Sequence, residues 1–231
     1  YDKGYSEIRQ ERISRLKELG IFDDQAIASM APPYIDAWDQ LSPEQQKIEA
    51  REMEIFAAMV ENLDRNIGRV INYLKDTDQY ENTFILFMSD NGAEGNDIGD
   101  LSTNAEWIEE ELDNSLDNMG KVNSYVYYGI NWAHTGVGPF QNIKSFVSEG
   151  GIKVPSIVRY GGLSYKGDMD QTLMTVKDIA PTLLELAGTT HPGNQYKGNE
   201  VYPITGRSIL PHLNDLSKDV YGPEDVNGWE L

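Results

Sequence analysis

The sequence predicts an α/β fold in which a mostly parallel central sheet lies between layers of helices. The segment Thr83 to Met88 is apolar without alternation, which is typical of a strand covered on both faces. A long helical pattern runs directly into this strand, and a helix followed by such a strand is half of a βαβ unit. Lys153 to Tyr160 indicates a second strand, which follows a Glu-Gly-Gly turn.

Composition and charge restrict the partners that the protein can have. The 231 residues include 38 acidic and 19 basic side chains, which gives a net charge of −19. Such a surface repels nucleic acid and anionic lipid, so we expect no partner of either kind. No run of about 18 apolar residues occurs, so we expect no membrane span. The sequence contains no cysteine, which excludes disulfides, thiolate catalysis and zinc–cysteine sites.

Two helical segments precede the first strand. The first is a short amphipathic pattern that ends near Gly20. The second has a strong start, because Ser42 can act as N-cap, Pro43 fits the first helical position and Gln45 can bond back to the cap. Apolar residues then recur at helical spacing as far as Lys75, which predicts a helix about 50 Å long.

The region after the first strand is expected to carry function. Residues 93–140 are predicted to form a surface excursion with one helix, followed by a long loop at the active site that is rich in aromatic residues, Gly and Asn. Long loops in compact domains are usually functional. Further on, Asp178 is predicted to cap a helix that stops at Gly188.

The first strand ends in Asp90-Asn91-Gly92, which allows two interpretations. These are common turn residues, so a simple turn is one of them. The other is a metal site at the carboxyl end of a strand, where open α/β sheets bind ligands. A carboxylate and an amide oxygen suit Ca²⁺ or Mg²⁺, but Ca²⁺ takes six to eight oxygens, so two are too few. A weaker alternative completes the site from acidic residues of the same loop, whose spacing does not match an EF-hand: Glu94, Asp97 and Asp100.

Two further side chains are candidates for chemistry. Of the three histidines, His134 is the best placed for acid–base work, because it lies in the aromatic segment. Lys144 precedes the Glu-Gly-Gly turn, where a lysine is either a solvated surface charge or a local cation for an anionic group. A chain with a strongly negative field would need such a cation to bind an anionic substrate.

Four blocks of sequence in this order resemble type I sulfatases, and bacterial arylsulfatases most closely. The blocks are EMEIFAAMVENLDRNIGRVINYL, NTFILFMSDNGAEG, Lys144 with SFVSEGGIKVPSIVRY, and KDIAPTLLELAG. The resemblance implies an alkaline-phosphatase-like α/β/α sandwich that hydrolyses a sulfate ester substrate. It also implies that Asp90 and Asn91 bind Ca²⁺ and that Lys144 contacts the sulfate group.

The resemblance implies that residues 1–231 are the middle-to-late part of a sulfatase domain. The family nucleophile is a formylglycine made from Cys or Ser in a C-x-P-x-R or S-x-P-x-R motif, and neither motif occurs here. We therefore expect the other metal ligands and the nucleophile to come from missing parts of the same polypeptide, and this span alone to be inactive. Two alternatives stay open, a non-catalytic calcium-binding module and a phosphate-ester hydrolase of the same superfamily.

Overall fold

A computed structural model describes residues 1–25, 28–96, 102–164 and 167–228. Within these ranges the chain forms two compact units. Unit 1 comprises Tyr1–Tyr80 and Ile85–Val158, and unit 2 comprises Glu81–Phe84 and Arg159–Gly228. No helix in the described ranges is long and apolar enough to cross a membrane.

The elements alternate between helices and short strands, as expected for an α/β chain. Those up to the end of unit 1 are α1 (Tyr5–Glu18), α2 (Pro43–Asp76), β1 (Ile85–Met88), α3 (Ser102–Glu111), α4 (Gly129–Gly136), α5 (Glu149–Ile152) and β2 (Ser156–Arg159). Those of unit 2 are α6 (Ile179–Leu186), β3 (Gln195–Tyr196), β4 (Asn199–Glu200) and α7 (Leu210–Asn214). Strands β1 and β2 pair in one sheet, and β3 and β4 form an antiparallel pair.

Local signals in the sequence fix both long helices of unit 1. Helix α1 ends at Glu18, and Gly20 follows with φ of 71°, a conformation that favours glycine. At the start of α2, the Ser42 hydroxyl accepts from the backbone N–H of Gln45 at 3.3 Å, and the Gln45 side chain accepts from the Ser42 N–H at 2.9 Å. This capping box and the 34-residue length of α2 confirm the predicted helix.

The core of unit 1 differs in part from the sequence prediction, because the middle of the aromatic segment is a helix, whereas residues 125–128 and 137–140 are irregular. It contains α4, in which all residues from Asn131 to Thr135 are buried. Trp132 packs edge-on against Tyr5 with ring centroids 4.8 Å apart, and its indole N–H donates to the Glu49 carbonyl at 2.9 Å. The many aromatic and small residues of this segment therefore serve packing. Asp97 and Asp100 lie outside the described residues.

Strand β1 forms where the sequence predicts it, but it is not covered on both faces. None of its four residues is buried, and Phe87 is 44% exposed. In the described part of the chain, β1 also has only β2 beside it in its sheet. The apolar run therefore indicates the strand correctly, while the covering layers are not supplied by the described residues.

Unit 2 is organised around the buried carboxylate of Asp178. Its two oxygens accept from the Thr175 N–H at 2.6 Å, the Arg207 N–H at 2.8 Å and the Tyr221 hydroxyl at 2.5 Å. Asp178 lies at the N-cap position of α6, as predicted, but its side chain makes no capping bond to that helix. It joins three separate segments of the unit instead.

Replacement of Asp178 by Ala is expected to unfold unit 2 selectively. The change leaves part-buried donors on Thr175, Arg207 and Tyr221 without their acceptor, which should cost about 2–3 kcal/mol of unfolding free energy in total. Hydrogen exchange measured by mass spectrometry should show faster exchange in residues 159–228 than in unit 1. Asp219→Ala, at an exposed aspartate, is the matched control and should leave both units protected. Equal protection in the two variants would contradict the proposed role.

Candidate functional site

The chain turns sharply after β1, and this turn presents two oxygen-bearing side chains. The Ser89 hydroxyl donates to the Asn91 carbonyl at 2.9 Å, which closes the turn. Asp90 is exposed and Asn91 is half-buried. Within the described residues, neither side chain has a hydrogen-bond partner. The side-chain oxygens of Asp90 and Asn91 are therefore available to bind a ligand. The turn interpretation and the metal interpretation are therefore compatible.

Backbone contacts between glycines hold this turn against α5. The Gly92 N–H donates to the Gly151 carbonyl at 2.8 Å. A Cβ atom on Gly92 would lie 1.9 Å from the Gly150 carbonyl oxygen, far closer than any real contact. A Cβ on Gly150 would in turn lie 2.1 Å from the Asn142 carbonyl oxygen. Only glycine fits at these positions, which explains why both sequence blocks contain it.

The same packing positions Lys144. Its backbone N–H donates to the Ala93 carbonyl at 3.0 Å, and its ammonium group pairs with the carboxylate of Glu94. The hydrogen bond and the charge of Glu94 raise the pKa of Lys144 above its ordinary value, and the negative charge of Asp90 adds to the shift. Lys144 is therefore an ammonium at neutral pH.

The backbone beside Lys144 adopts an uncommon conformation. Asn142 has φ of 63° and Ser145 has φ of 72°, so two non-glycine residues lie in the left-handed region within four positions. Each such residue costs on the order of 1 kcal/mol, and such residues cluster at functional sites. The surrounding glycine contacts over-determine this loop and fix the direction in which Lys144 leaves it.

Glu94 is the residue whose role sequence analysis missed. Its position in the acidic loop suggests a metal ligand, but the structure places it in an ion pair with Lys144. Partial burial would raise the pKa of Glu94, yet the bonds from Lys144 and from the Asn96 N–H lower it below its ordinary value. The pairing joins residues 50 positions apart, so no local spacing in the sequence signals it.

His134 lies in the core of unit 1. It is 2% exposed, and its Nε2 atom has no hydrogen-bond partner among the described residues. Burial and the positive charge of Arg9 lower the pKa of His134 to about 4, so the ring is neutral at pH 7. No hydrogen bond in the described part of the chain joins it to Asp90, Asn91 or Lys144. Its acid–base role stays a prediction, and a neutral buried ring does not favour proton donation at pH 7.

The donor set fits half of a calcium site. Asp90 and Asn91 offer hard oxygen atoms, which Ca²⁺ prefers. Across the ranges that the structure describes, no group of three or more His, Cys, Asp or Glu side chains is arranged to hold a metal ion. The described residues therefore offer two candidate oxygen donors and no complete coordination shell.

Comparison with known proteins identifies the class of the chain. A family model described as sulfatase matches residues 22–189, a span that includes Asp90, Asn91 and Lys144. An uncharacterized sulfatase of Schizosaccharomyces pombe is 41% identical over 239 residues, covering 100% of this chain and 42% of that protein. An arylsulfatase of Klebsiella aerogenes is 37% identical over 214 residues, covering 90% of this chain and 45% of that protein.

A solved structure is also similar. It is described as a complex of a protein with its substrate D-glucosamine-2-N,6-O-disulfate; the sequence identity is 24%, the TM-score is 0.41, and the match covers 68% of this chain and 22% of that chain.

The alternation of helices and short strands confirms the α/β class predicted from the sequence, and the family match places the chain in the alkaline phosphatase superfamily. Within that superfamily, the chain belongs to the sulfatase family. It spans less than half the length of each of the two curated relatives, with 42% and 45% covered.

Replacement of Gly92 by Ala is expected to disrupt the site by steric overlap. The new methyl group would meet the Gly150 carbonyl oxygen at 1.9 Å, so the turn and α5 must separate. We expect a loss of about 2–3 kcal/mol of unfolding free energy in denaturant titrations. Gly68→Ala is the matched control, because nothing lies within 4 Å of a Cβ at that position in α2. The Gly68→Ala variant should be stabilised by up to about 1 kcal/mol. Equal stability of Gly92→Ala and Gly68→Ala would contradict the importance of the contact between Gly92 and Gly150.

The stability of unit 1 is expected to depend on pH through His134. Its folded-state pKa of about 4 lies below the ordinary value of 6.5, so the unfolded chain binds the proton first as the pH falls. The neutral His134 ring makes its full contribution to the free energy of unfolding above pH 6.5. This contribution is lost progressively as the pH falls towards 4, and the total loss is about 3 kcal/mol. Denaturant titrations at several pH values should show this slope, and His134→Asn should remove it.

The control for this experiment is His191→Asn. His191 lies in unit 2, where its Nδ1 atom accepts from the Gly193 N–H at 3.2 Å. This variant should keep the wild-type dependence of unit 1 on pH. An unchanged slope in His134→Asn would assign the acid sensitivity to other groups.

Proposed function

We propose that this chain forms part of an arylsulfatase-type sulfate ester hydrolase and supplies half of its calcium site and one sulfate-binding cation. The observation that carries the proposal is the position of Lys144. Its backbone N–H donates to the carbonyl of Ala93, two residues after Asn91, and its ammonium group pairs with Glu94 on the same turn. The similarity to the Klebsiella aerogenes arylsulfatase supports the same reaction class.

Asp90 and Asn91 are proposed to bind Ca²⁺ through their carboxylate and amide oxygens. Both side chains lack a competing partner within the described residues, so no bond has to break before they bind an ion. When bound, such an ion neutralises charge that develops on the sulfate oxygens. The remaining ligands are proposed to come from parts of the polypeptide outside this span.

Lys144 is proposed to act as an electrostatic clamp rather than as a base. The carboxylate of Glu94 raises its pKa, so it keeps its proton at neutral pH. An ammonium group has three donors, so the one bonded to Glu94 leaves others for the sulfate oxygens. Glu94 therefore orients the charge without saturating it. In a protein of net charge −19, this local cation offsets the repulsion of an anionic substrate.

None of these residues is proposed to be the nucleophile. Sulfatases of this type are expected to use a formylglycine, made from Cys or Ser in the motifs described above, and the chain has neither motif. We therefore propose that residues 1–231 do not catalyse hydrolysis on their own. They position the substrate and the metal for a nucleophile that another part of the polypeptide provides.

The alternatives differ in what the side chains must do. A phosphate-ester hydrolase of the superfamily that uses zinc would need several histidine ligands. His134 is buried, and both ring nitrogens of His212 are occupied, by the Lys218 carbonyl at 2.8 Å and by Asp170 at 3.0 Å. A silent calcium-binding module would need Asp90 and Asn91 but not Lys144. The need for Lys144 therefore distinguishes the proposed sulfatase from a silent calcium-binding module.

The test uses the longer polypeptide that joins this span to a formylglycine motif, with 4-nitrophenyl sulfate as substrate. Lys144→Ala should lower kcat by roughly 10²–10³-fold, because a charge that stabilises the transition state is lost. Asp90→Ala should also lose turnover, and isothermal titration calorimetry should show weaker Ca²⁺ binding. The matched controls are Lys153→Ala, at an exposed lysine, and Asp64→Ala, at an exposed aspartate of α2.

Several results would overturn the proposal. Full turnover in Lys144→Ala would exclude the clamp. Unchanged Ca²⁺ affinity in Asp90→Ala would remove Asp90 from the metal site. Calcium binding without any hydrolysis of sulfate esters in the longer polypeptide would identify a silent module instead.

A further inference from the structure

We propose that Asn227 is a site of spontaneous deamidation and that the fold protects Asn91 from the same reaction. The chain contains two Asn-Gly dipeptides, Asn91-Gly92 and Asn227-Gly228. Because glycine has no Cβ atom, its backbone nitrogen can approach the side-chain amide of the preceding asparagine without steric hindrance. The inference concerns the covalent chemistry of the chain itself and does not depend on the proposed hydrolysis.

The reaction needs only water and the two residues of the dipeptide. The backbone nitrogen of the glycine loses its proton and attacks the side-chain amide carbon of the asparagine. The bond from this carbon to the amide nitrogen breaks, and ammonia leaves with the proton. Water then opens the cyclic imide at either of its two carbonyl groups, which gives aspartate or isoaspartate. The peptide must rotate for the attack, so the local structure controls the rate.

The peptide after Asn227 is free to take the conformation that the attack requires. Asn227 is half-buried and Gly228 is exposed, and nothing lies within 4 Å of the position of a Cβ atom on Gly228. Among the described residues, no hydrogen bond engages the Gly228 N–H. This nitrogen can therefore lose its proton to solvent and turn towards the side chain of Asn227.

Lys177 activates the side-chain amide of Asn227. Its ammonium group donates to the Asn227 Oδ1 atom at 3.3 Å. Negative charge develops on this oxygen as the nitrogen attacks the amide carbon, and a cation bonded to the oxygen stabilises that charge. Lys177 directly precedes Asp178, whose buried carboxylate joins three segments of unit 2. The backbone that carries the cation is therefore held in place.

The peptide after Asn91 is held in the opposite way. The Gly92 N–H donates to the Gly151 carbonyl at 2.8 Å, and this bond must break before the nitrogen can react. The Ser89 hydroxyl fixes the Asn91 carbonyl at 2.9 Å. The position of a Cβ atom on Gly92 lies 1.9 Å from the Gly150 carbonyl oxygen, so the peptide has no room to rotate. Deamidation of Asn91 therefore waits for local opening of the turn.

The two asparagines consequently have different fates. Asn91 keeps the neutral amide oxygen that the candidate site offers. At Asn227, the aspartate product places a carboxylate beside Lys177 and replaces a hydrogen bond by an ion pair. A similar pair already joins Arg207 to Asp225 in the same segment. Deamidation of Asn227 thus adds negative charge to the surface and keeps the contact between this segment and Lys177.

Incubation in heavy-oxygen water at mildly alkaline pH tests the inference, because each imide that opens takes up the label. Peptide mass spectrometry quantifies the label at each asparagine, in the 231-residue chain and in the longer polypeptide of the activity test. In the folded protein, Asn91 should react at least about tenfold more slowly than Asn227, since its reaction requires local opening. In urea the two sites should react at similar rates. Equal rates in the folded protein, or a faster reaction at Asn91, would overturn the inference.

Gly151→Ala tests the protection of Asn91 without changing the Asn91-Gly92 dipeptide. The new Cβ atom would lie 2.0 Å from the Phe146 carbonyl oxygen, so the contact with Gly92 must open. Deamidation of Asn91 should then approach its rate in urea. Gly68→Ala, where nothing lies within 4 Å of the Cβ position, is the control and should leave the rate unchanged. A rate at Asn91 that stays slow in Gly151→Ala would contradict protection by this contact.

Lys177→Met tests the activating cation. Deamidation of Asn227 should slow severalfold and no more, because solvent screens the charge of an exposed lysine. Lys218→Met is the matched control, since Lys218 pairs with Asp215 at 3.5 Å and does not contact Asn227. Equal rates in the two variants would exclude a role for Lys177. None of these measurements depends on turnover of a sulfate ester, so a failed activity test leaves them unaffected.

Discussion

The close approach of two backbone segments at Gly92 and Gly150 is the constraint on which the candidate site depends. The N–H of Gly92 reaches the Gly151 carbonyl at 2.8 Å, and neither Gly92 nor Gly150 has room for a side chain. This contact brings the turn after β1 to the loop that carries Lys144. Without it, the oxygen donors and the cation would belong to unrelated parts of the surface.

The charges of the side chains at the candidate site determine which ligands it can bind. The chain is strongly acidic, yet the site combines one ammonium group with two carboxylates, Glu94 and Asp90. Glu94 keeps Lys144 protonated and oriented, whereas Asp90 has no bonded partner among the described residues. In the proposed function, Asp90 binds the metal ion and Lys144 binds the sulfate oxygens. The acidic field of the remaining surface would repel such a substrate, so the proposal needs this local cation.

The two units use buried polar groups in different ways. In unit 2, the carboxylate of Asp178 is fully satisfied by donors from three segments, so it serves the fold. In unit 1, His134 and Arg9 are both buried, and each keeps a nitrogen without a partner in the described residues. Burial beside a positive charge keeps the histidine neutral. Such a pair makes the core sensitive to acid without contributing a donor to the candidate site.

The sequence by itself determined the elements whose signals are local. The capping box that begins at Ser42 and the strand that ends at Met88 depend on residues a few positions apart, and the four sequence blocks identified the family. Only the tertiary structure placed the aromatic segment in the core as α4 and paired Lys144 with Glu94 across 50 positions. The physical reason is that burial and ion pairing depend on which distant segments meet, and periodicity along the chain does not encode that meeting.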